Sequence, residues 1–322
     1  MFASLPPHTI AARKDKITFS LGRAIFILCC LQKNMPTETI LLPAQISDND
    51  IQNVDIAIVA NPDPKILAKF PNLIWIQSLW AGVESLLKEK IPETVKVVRL
   101  IDPQLTNTMA EAAMAWTLYL HRNMPEYALQ QKQSHWNQLP YMPANKVRVG
   151  VLGLGELGLA AVTSLQKLNY QVSGWSRTTK QINNIKTYSG CHGLEEIIGN
   201  SDILISLLPL TPETFHLLNR SLLSKLPVGA KVINFSRGAI IDTVGLLQLI
   251  DSKHIAHAVL DVFEQEPLNK KDPIWHNPNI TVLPHISAPT DIHSSIKVAS
   301  ENIVNYRKNQ IIPSSVNRAL GY

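Results

Sequence analysis

The segment VRVGVLGLGELGLAAVTSLQKL, residues 147–168, restricts the possible fold more than any other stretch of the chain. A continuous apolar run leads directly into Gly153, Gly155 and Gly158, spaced G-x-G-x-x-G, and then into a helical pattern. Such a run reads as a strand buried on both faces. A strand that turns through glycines into a helix is the βα unit of a parallel sheet. Each glycine has its own reason. The first permits a tight turn, the second lets a pyrophosphate approach the backbone, and the third lets helix and strand pack closely. The helix N-terminus then offers unpaired N–H groups and a positive dipole end to phosphates. Gly153, Gly155, Glu156, Leu157 and Gly158 are therefore candidate cofactor-binding residues. A glycine-containing βα turn without a ligand is the alternative.

The same alternation runs through nearly the whole chain. KITFS, VDIAIVA, LIWIQSL and VKVVRL precede this segment, and YQVSGWS, DILISLLP, AKVINFS, AHAVLDVF and ITVLPH follow it. The expected fold class is α/β, with two Rossmann/flavodoxin-like parallel-sheet domains and a cleft between them. The polar break IDPQLTNT places the boundary near residues 100–110, with a helix expected over Met109–Met124. The last 35 or so residues read as an amphipathic helix and tail that return to the first domain. The expected organisation is residues 1–103 plus 287–322 as the substrate domain and 104–286 as the dinucleotide-binding domain. The segment near 125–146, polar, Gln-rich and bounded by prolines, is either a surface connection or an arm exchanged in a homodimer. The first dozen residues read as a loose extension.

Composition narrows the function classes. Of 322 residues, 45% are hydrophobic and 17% charged, as in a well-cored globular protein. The net charge of +5 comes without a long Lys/Arg run, so nucleic acid is not expected as a partner, whereas small anions suit it. Cys29, Cys30 and Cys191 imply no disulfide framework, and the cytoplasm is the expected compartment. The longest apolar run, Ala24–Leu31, is too short to span a bilayer, so no membrane association is expected. No metal site is expected.

The stretch GWSRTTK, at the end of the strand after the glycine-rich turn, lacks the acid that would accept hydrogen bonds from the ribose of NAD roughly 20 residues on. A carboxylate there repels a 2′-phosphate. Ser176, Arg177, Thr178 and Lys180 instead supply hydroxyls and cations, and the Arg fork matches a phosphate. The cofactor expected from these residues is NADP(H), with NAD(H) weaker. A solvated basic turn is the alternative.

Three further stretches fall at or just after the C-terminal ends of apolar runs, the edge where open α/β sheets bind ligands. They are NFSRGAIID with Arg237, LDVFEQEPL with Asp261 and Glu266, and LPHISA with His285. Taken singly, Arg237 reads as a surface ion pair, Glu266 as a turn charge and His285 as one of ten histidines.

From about residue 16 onward the chain resembles the D-isomer-specific 2-hydroxyacid dehydrogenases, and in detail the A-type glyoxylate/hydroxypyruvate reductases. The resemblance rests on GVLGLGELG, WSRT, LLPLTPET, LPVGAKVINFSRG, LDVFEQEPL, PIWHNPNITVLPHISA and the closing GY, with SLWAGVE in the first domain. It implies reduction of small 2-keto acids, glyoxylate and hydroxypyruvate, by hydride from NADPH. It makes His285 the proton donor, Glu266 its carboxylate partner and Arg237 the carboxylate clamp. It carries Trp80, Ala81 and Gly82 over as substrate-binding, Asp261 to the nicotinamide carboxamide, and Leu208 and Pro209 to the adenosine side. Trp80 departs from the small residue of many relatives; it either narrows the pocket or packs under the loop. The remaining alternatives are an NAD-dependent relative with another substrate and a non-catalytic dinucleotide sensor.

Overall fold

The computed structural model describes residues 2–5, 9–10, 21–42, 45–60, 67–87 and 91–322. The chain divides into two compact units, Met1–Gln104 with Thr290–Tyr322, and Leu105–Pro289. Among the described residues, no helix is long and apolar enough to cross a membrane.

Among the described residues, the first unit holds a sheet of six strands: β1 Phe2–Leu5, β2 Thr9–Ile10, β3 Thr39–Leu41, β4 Ile56–Val59, β5 Trp75–Ser78 and β6 Lys96–Val98. Their spatial order is β2-β3-β1-β4-β5-β6. Strands β4, β5 and β6 run parallel, while β1 lies antiparallel to both β3 and β4. The extension expected over the first dozen residues is thus paired into the sheet at 2–5 and 9–10. KITFS, expected as the first strand, lies outside the described residues. Strands β4 and β5 are buried throughout, which is why they read as unbroken apolar runs. The apolar run before Met35 forms the helix Leu21–Asn34, which places Ile27 and Leu31 in the core. The C-terminal helix Ile292–Asn309 adds Ile296, Ala299, Ile303 and Tyr306 to the same core. Its Arg307 forms ion pairs with Asp55 and buried Glu38.

The second unit holds seven strands, all parallel: β7 Arg148–Leu152, β8 Gln171–Ser176, β9 Lys186–Ser189, β10 Ile203–Ser206, β11 Ala230–Asn234, β12 Ile255–Leu260 and β13 Ile280–Val282. Their order is β13-β12-β11-β10-β7-β8-β9. The chain builds outward from β7 to β9, then returns to the other side of β7 with β10. That reversal is the topological switch point, and ligands of open α/β sheets bind outside the strand ends there.

The helix expected from Met109 starts earlier, spanning Pro103–His121. The polar run PQLTNT is its first turns rather than a break. Proline suits the first helical position, where no N–H is needed, and the Asp102 carboxylate accepts the Gln104 N–H at 2.9 Å. A second helix, Met124–Lys132, follows and has no buried residue.

Candidate active site

The glycine-rich turn is a cradle with one open side. Gly153 has φ +98°, and a Cβ there would meet the Leu207 carbonyl at 2.6 Å. Its N–H donates to the Trp175 carbonyl at 2.8 Å, so the turn is wedged between the ends of β8 and β10. At Gly158 a Cβ would lie 1.7 Å from the Gly153 carbonyl oxygen, so helix and turn touch backbone to backbone. Gly155 differs: a Cβ would meet nothing within 4 Å. It is the N-cap of the helix Glu156–Lys167, whose first N–H groups open towards that space. This is the shape a dinucleotide pyrophosphate requires, and the residues present fit it.

The opposite wall is the turn after β10. The Leu208 N–H donates to Ser236 Oγ at 2.8 Å, and Ser206 Oγ lies 2.7 Å from the same oxygen. The Ser236 N–H donates in turn to Asn234 Oδ1, and Asn234 Nδ2 donates to the Arg237 carbonyl. This buried polar chain ties the Leu208–Pro209 turn to the residues leading into Arg237. Sequence reasoning did not single out Ser206, Ser236 or Asn234. The only signal was a hydroxyl or amide at each apolar strand end. Pro209 is fixed as well, its carbonyl accepting from Thr214 Oγ1 at 2.7 Å.

At the end of β8 the four rim residues divide. Ser176 is buried and its hydroxyl donates to the Thr178 carbonyl at 2.8 Å, which shapes the turn. Lys180 Nζ donates to the Leu154 carbonyl at 2.7 Å, so this cation is held against the glycine-rich turn. Arg177 and Thr178 are exposed on the rim. Lys180 is exposed as well, so its tethered ammonium stands at the same rim as Arg177.

Arg237, Asp261, Glu266 and His285 gather at the C-terminal ends of β11, β12 and β13. At Gly238 a Cβ would lie 2.0 Å from the Phe263 carbonyl carbon, so the backbone after β12 crosses directly over the residue following Arg237. That crossing directs the chain to Glu266. Glu266 Oε1 accepts the Phe263 N–H at 3.0 Å, and Oε2 accepts from His285 Nδ1 at 2.8 Å. His285 has φ +54°, a left-handed backbone that a non-glycine residue adopts only when held there. Asp261 holds it. Its carbonyl accepts the His285 N–H at 2.9 Å, and its two carboxylate oxygens accept Ile286 N–H at 2.7 Å and Ser287 N–H at 3.0 Å. Buried Asp261 therefore fixes the histidine loop.

The electrostatics follow from this geometry. The hydrogen bond to Glu266 lifts the His285 imidazole above its ordinary range; burial and the nearby Arg237 charge oppose the rise. Burial works to raise the Glu266 carboxyl, but the bonds from His285 and Phe263 outweigh it and hold Glu266 below its ordinary range. Half of the His285 side chain is exposed, and its Nε2 has no partner among the described residues. The pair thus favours the protonated imidazole and leaves Nε2 on the side away from Glu266. His257 shows the contrast. It is buried, hydrogen-bonded to Thr281 Oγ1 at 2.9 Å, and pushed down to about 4, first by burial and then by the Lys231 charge. It is a neutral structural histidine.

In the first unit, the turn after β5 carries Trp80, Ala81 and Gly82. The Trp80 N–H donates to Ser78 Oγ at 3.0 Å, and the Trp80 carbonyl accepts from the same hydroxyl and from Leu100 N–H. Trp80 therefore has no backbone donor to spare for a ligand. Its indole nitrogen is buried without a partner among the described residues. The Ala81 and Gly82 N–H groups have no acceptor among the described residues.

Comparison with known proteins agrees with this geometry. Residues 114–287 match the family described as D-isomer specific 2-hydroxyacid dehydrogenase, NAD binding domain. Glyoxylate/hydroxypyruvate reductase A of Photorhabdus laumondii is 38% identical over 298 residues, covering 91% of this chain and 94% of that protein. A D-isomer specific 2-hydroxyacid dehydrogenase of Xanthobacter autotrophicus Py2, solved in complex with NADPH and MES, is 32% identical with a TM-score of 0.90, over 99% of this chain and 100% of that one. The NADPH-dependent glyoxylate/hydroxypyruvate reductase of Sinorhizobium meliloti, solved with NADP and sulfate, is 30% identical with a TM-score of 0.85, over 93% and 96% of the two chains. With a cradle for a dinucleotide beside a histidine–glutamate pair and an arginine, and with these relatives across nearly its whole length, the chain belongs to the D-isomer specific 2-hydroxyacid dehydrogenases.

Proposed function

We propose that the protein is an NADPH-dependent reductase of small 2-keto acids, of which glyoxylate and hydroxypyruvate are the leading candidates. The observation that carries this reading is the His285–Glu266 pair, with Arg237 close enough to act on both, at the strand edge that also bears the glycine cradle. Gly153, Gly155 and Gly158 with the helix N-terminus hold the pyrophosphate. Leu208 and Pro209 line the adenosine side, and Arg177 with Thr178 takes the 2′-phosphate. The bound cofactor supplies the hydride.

The chain's own residues do the rest. Arg237 pairs with the substrate carboxylate and polarises the keto oxygen. As negative charge grows on that oxygen, His285 Nε2 gives up its proton, so the 2-oxo carbonyl becomes a hydroxyl while its carbon receives the hydride. Glu266 keeps the imidazole protonated beforehand and neutralises its charge. Asp261 keeps the ring aimed. Ala81 and Gly82 offer N–H donors of the kind a carboxylate takes.

The arm supports a homodimer. In the segment 125–146, Trp136 is 93% exposed and Tyr141 67% exposed, and the arm is braced by its own bonds from Leu139 N–H to Tyr127 and from Asn137 N–H to Gln130. Large apolar side chains so presented mark an association surface, and a second copy is the occupant we assign.

The test is oxidation of NADPH and NADH against glyoxylate, hydroxypyruvate, pyruvate and phenylpyruvate. The reading expects NADPH turnover with glyoxylate and hydroxypyruvate. Absence of turnover with all four overturns it.

A further inference from the structure

We propose that His216 and Glu264 form a clasp that positions the loop Phe263–Glu266, and through it the acid His285. The proposal rests on the reading of His285 as proton donor. His216 Nε2 donates to Glu264 Oε1 at 2.7 Å. Glu264 stands two residues before Glu266, whose carboxylate oxygens hold Phe263 N–H and His285 Nδ1.

An exposed ion pair is ordinarily worth little. Four features set this one apart. His216 has φ +47°, a left-handed backbone that is uncommon for a non-glycine residue. Its N–H donates to the Ala239 carbonyl at 2.8 Å, and Leu218 N–H donates to the Ile240 carbonyl at 3.0 Å, so residues 216–218 are bonded alongside the segment that follows Arg237. That same segment supports the catalytic loop, since the backbone of Phe263 and Glu264 presses on Gly238. Phe215 stacks on the His216 ring, centroids 4.1 Å apart and planes within 17°, which restrains the imidazole on its open side. The result is a closed circuit. The loop is held from below by Gly238 and from above by the Glu264 carboxylate, and both supports trace back to neighbouring backbone bonds. His216 and Glu264 touch no reacting atom; they are positioning residues.

The direction of one shift separates positioning from a merely local surface bond. The charged groups that act on His285 are Glu266, Arg237 and Asp261. Replacing His216 by Gln removes the imidazole N–H that the Glu264 carboxylate accepts. A merely local bond leaves the alkaline limb of the reduction rate in place. A loosened loop moves it to lower pH, because Glu266 then holds the imidazole less firmly.

The experiment uses the full chain with His216→Gln, Glu264→Gln and both together. Glyoxylate reduction by NADPH is measured against pH, with amide hydrogen exchange of Phe263 followed in parallel. The clasp predicts a kcat lowered about two- to fivefold, KM for NADPH unchanged, and the His216→Gln limb at lower pH. It also predicts a double variant no worse than either single, and faster Phe263 exchange. Additive losses, a limb that stays or rises, or unchanged exchange each overturn it. His285→Gln distinguishes the two levels. A surviving alkaline limb in that variant defeats the proton-donor reading, while Phe263 exchange still judges the clasp.

Discussion

Two glycines three residues apart should separate folding from cofactor binding. In Gly158→Ala the new methyl would lie 1.7 Å from the Gly153 carbonyl oxygen. Side-chain carbons do not approach backbone oxygens so closely, so the helix Glu156–Lys167 must move away from the turn by about 1 Å or more. Overpacking of this kind costs about 1–3 kcal/mol. In Gly155→Ala the methyl meets nothing within 4 Å, and the native φ of −77° and ψ of −168° are open to alanine. The lost preference for glycine at an N-cap and the stiffer unfolded chain largely cancel, leaving stability within about 1 kcal/mol. The methyl does fill the space through which a pyrophosphate reaches the backbone. Losing one charge-assisted hydrogen bond there costs roughly 1.5–3 kcal/mol, or about 10- to 150-fold in affinity. Thermal unfolding without ligand and fluorescence titration with NADPH measure the two effects separately. Gly158→Ala should lower the melting temperature, and Gly155→Ala should leave it in place while weakening NADPH. NADPH binding by Gly155→Ala at natural affinity would refute the cradle.

Glu266→Gln keeps the size of the side chain but removes the charge that lifts the His285 pKa. Because that pKa is raised in the folded protein, the protonated form is lost earlier as pH rises, and the alkaline limb of the reduction rate should move to lower pH. Arg237→Lys should recover only part of the activity lost in Arg237→Ala, since an ammonium cannot make a planar two-point contact; steady-state kinetics with glyoxylate distinguish the two. Light scattering at micromolar concentration should give twice the chain mass of 35.8 kDa, and the monomer mass would exclude an exchanged arm.

What could be read in the sequence followed burial. Central strands such as Ile203–Ser206, buried on both faces, announce themselves as unbroken apolar runs. The edge strand Lys186–Ser189 buries only Tyr188 and includes an exposed lysine, so it carries no such signal. Thr39–Leu41 is too short to show a period. Gly153, Gly155 and Gly158 were legible because a turn chemistry dictates them locally. Contacts made across the chain were not. Nothing near Lys180 indicates that its ammonium meets the Leu154 carbonyl, and nothing near Asp261 indicates that its oxygens gather the amides of Ile286 and Ser287. Arg237, Glu266 and His285 stood out at the ends of apolar runs, and the resemblance supplied their roles. Their spacing alone does not reveal that the Gly238 crossing brings Glu266 to His285.

The central claim is a cofactor claim as much as a substrate claim, and its cofactor half rests on the exposed Arg177 beside buried Ser176. The most direct test is the ratio of kcat/KM for NADPH to that for NADH, measured with glyoxylate on the natural chain and on Arg177→Ala. One charge-assisted phosphate contact is worth roughly 1.5–3 kcal/mol, so the natural ratio should be about 10 to 150 in favour of NADPH. It should shrink as salt rises and collapse in the variant through loss of NADPH activity alone. A natural ratio near one, or one favouring NADH, would contradict the account.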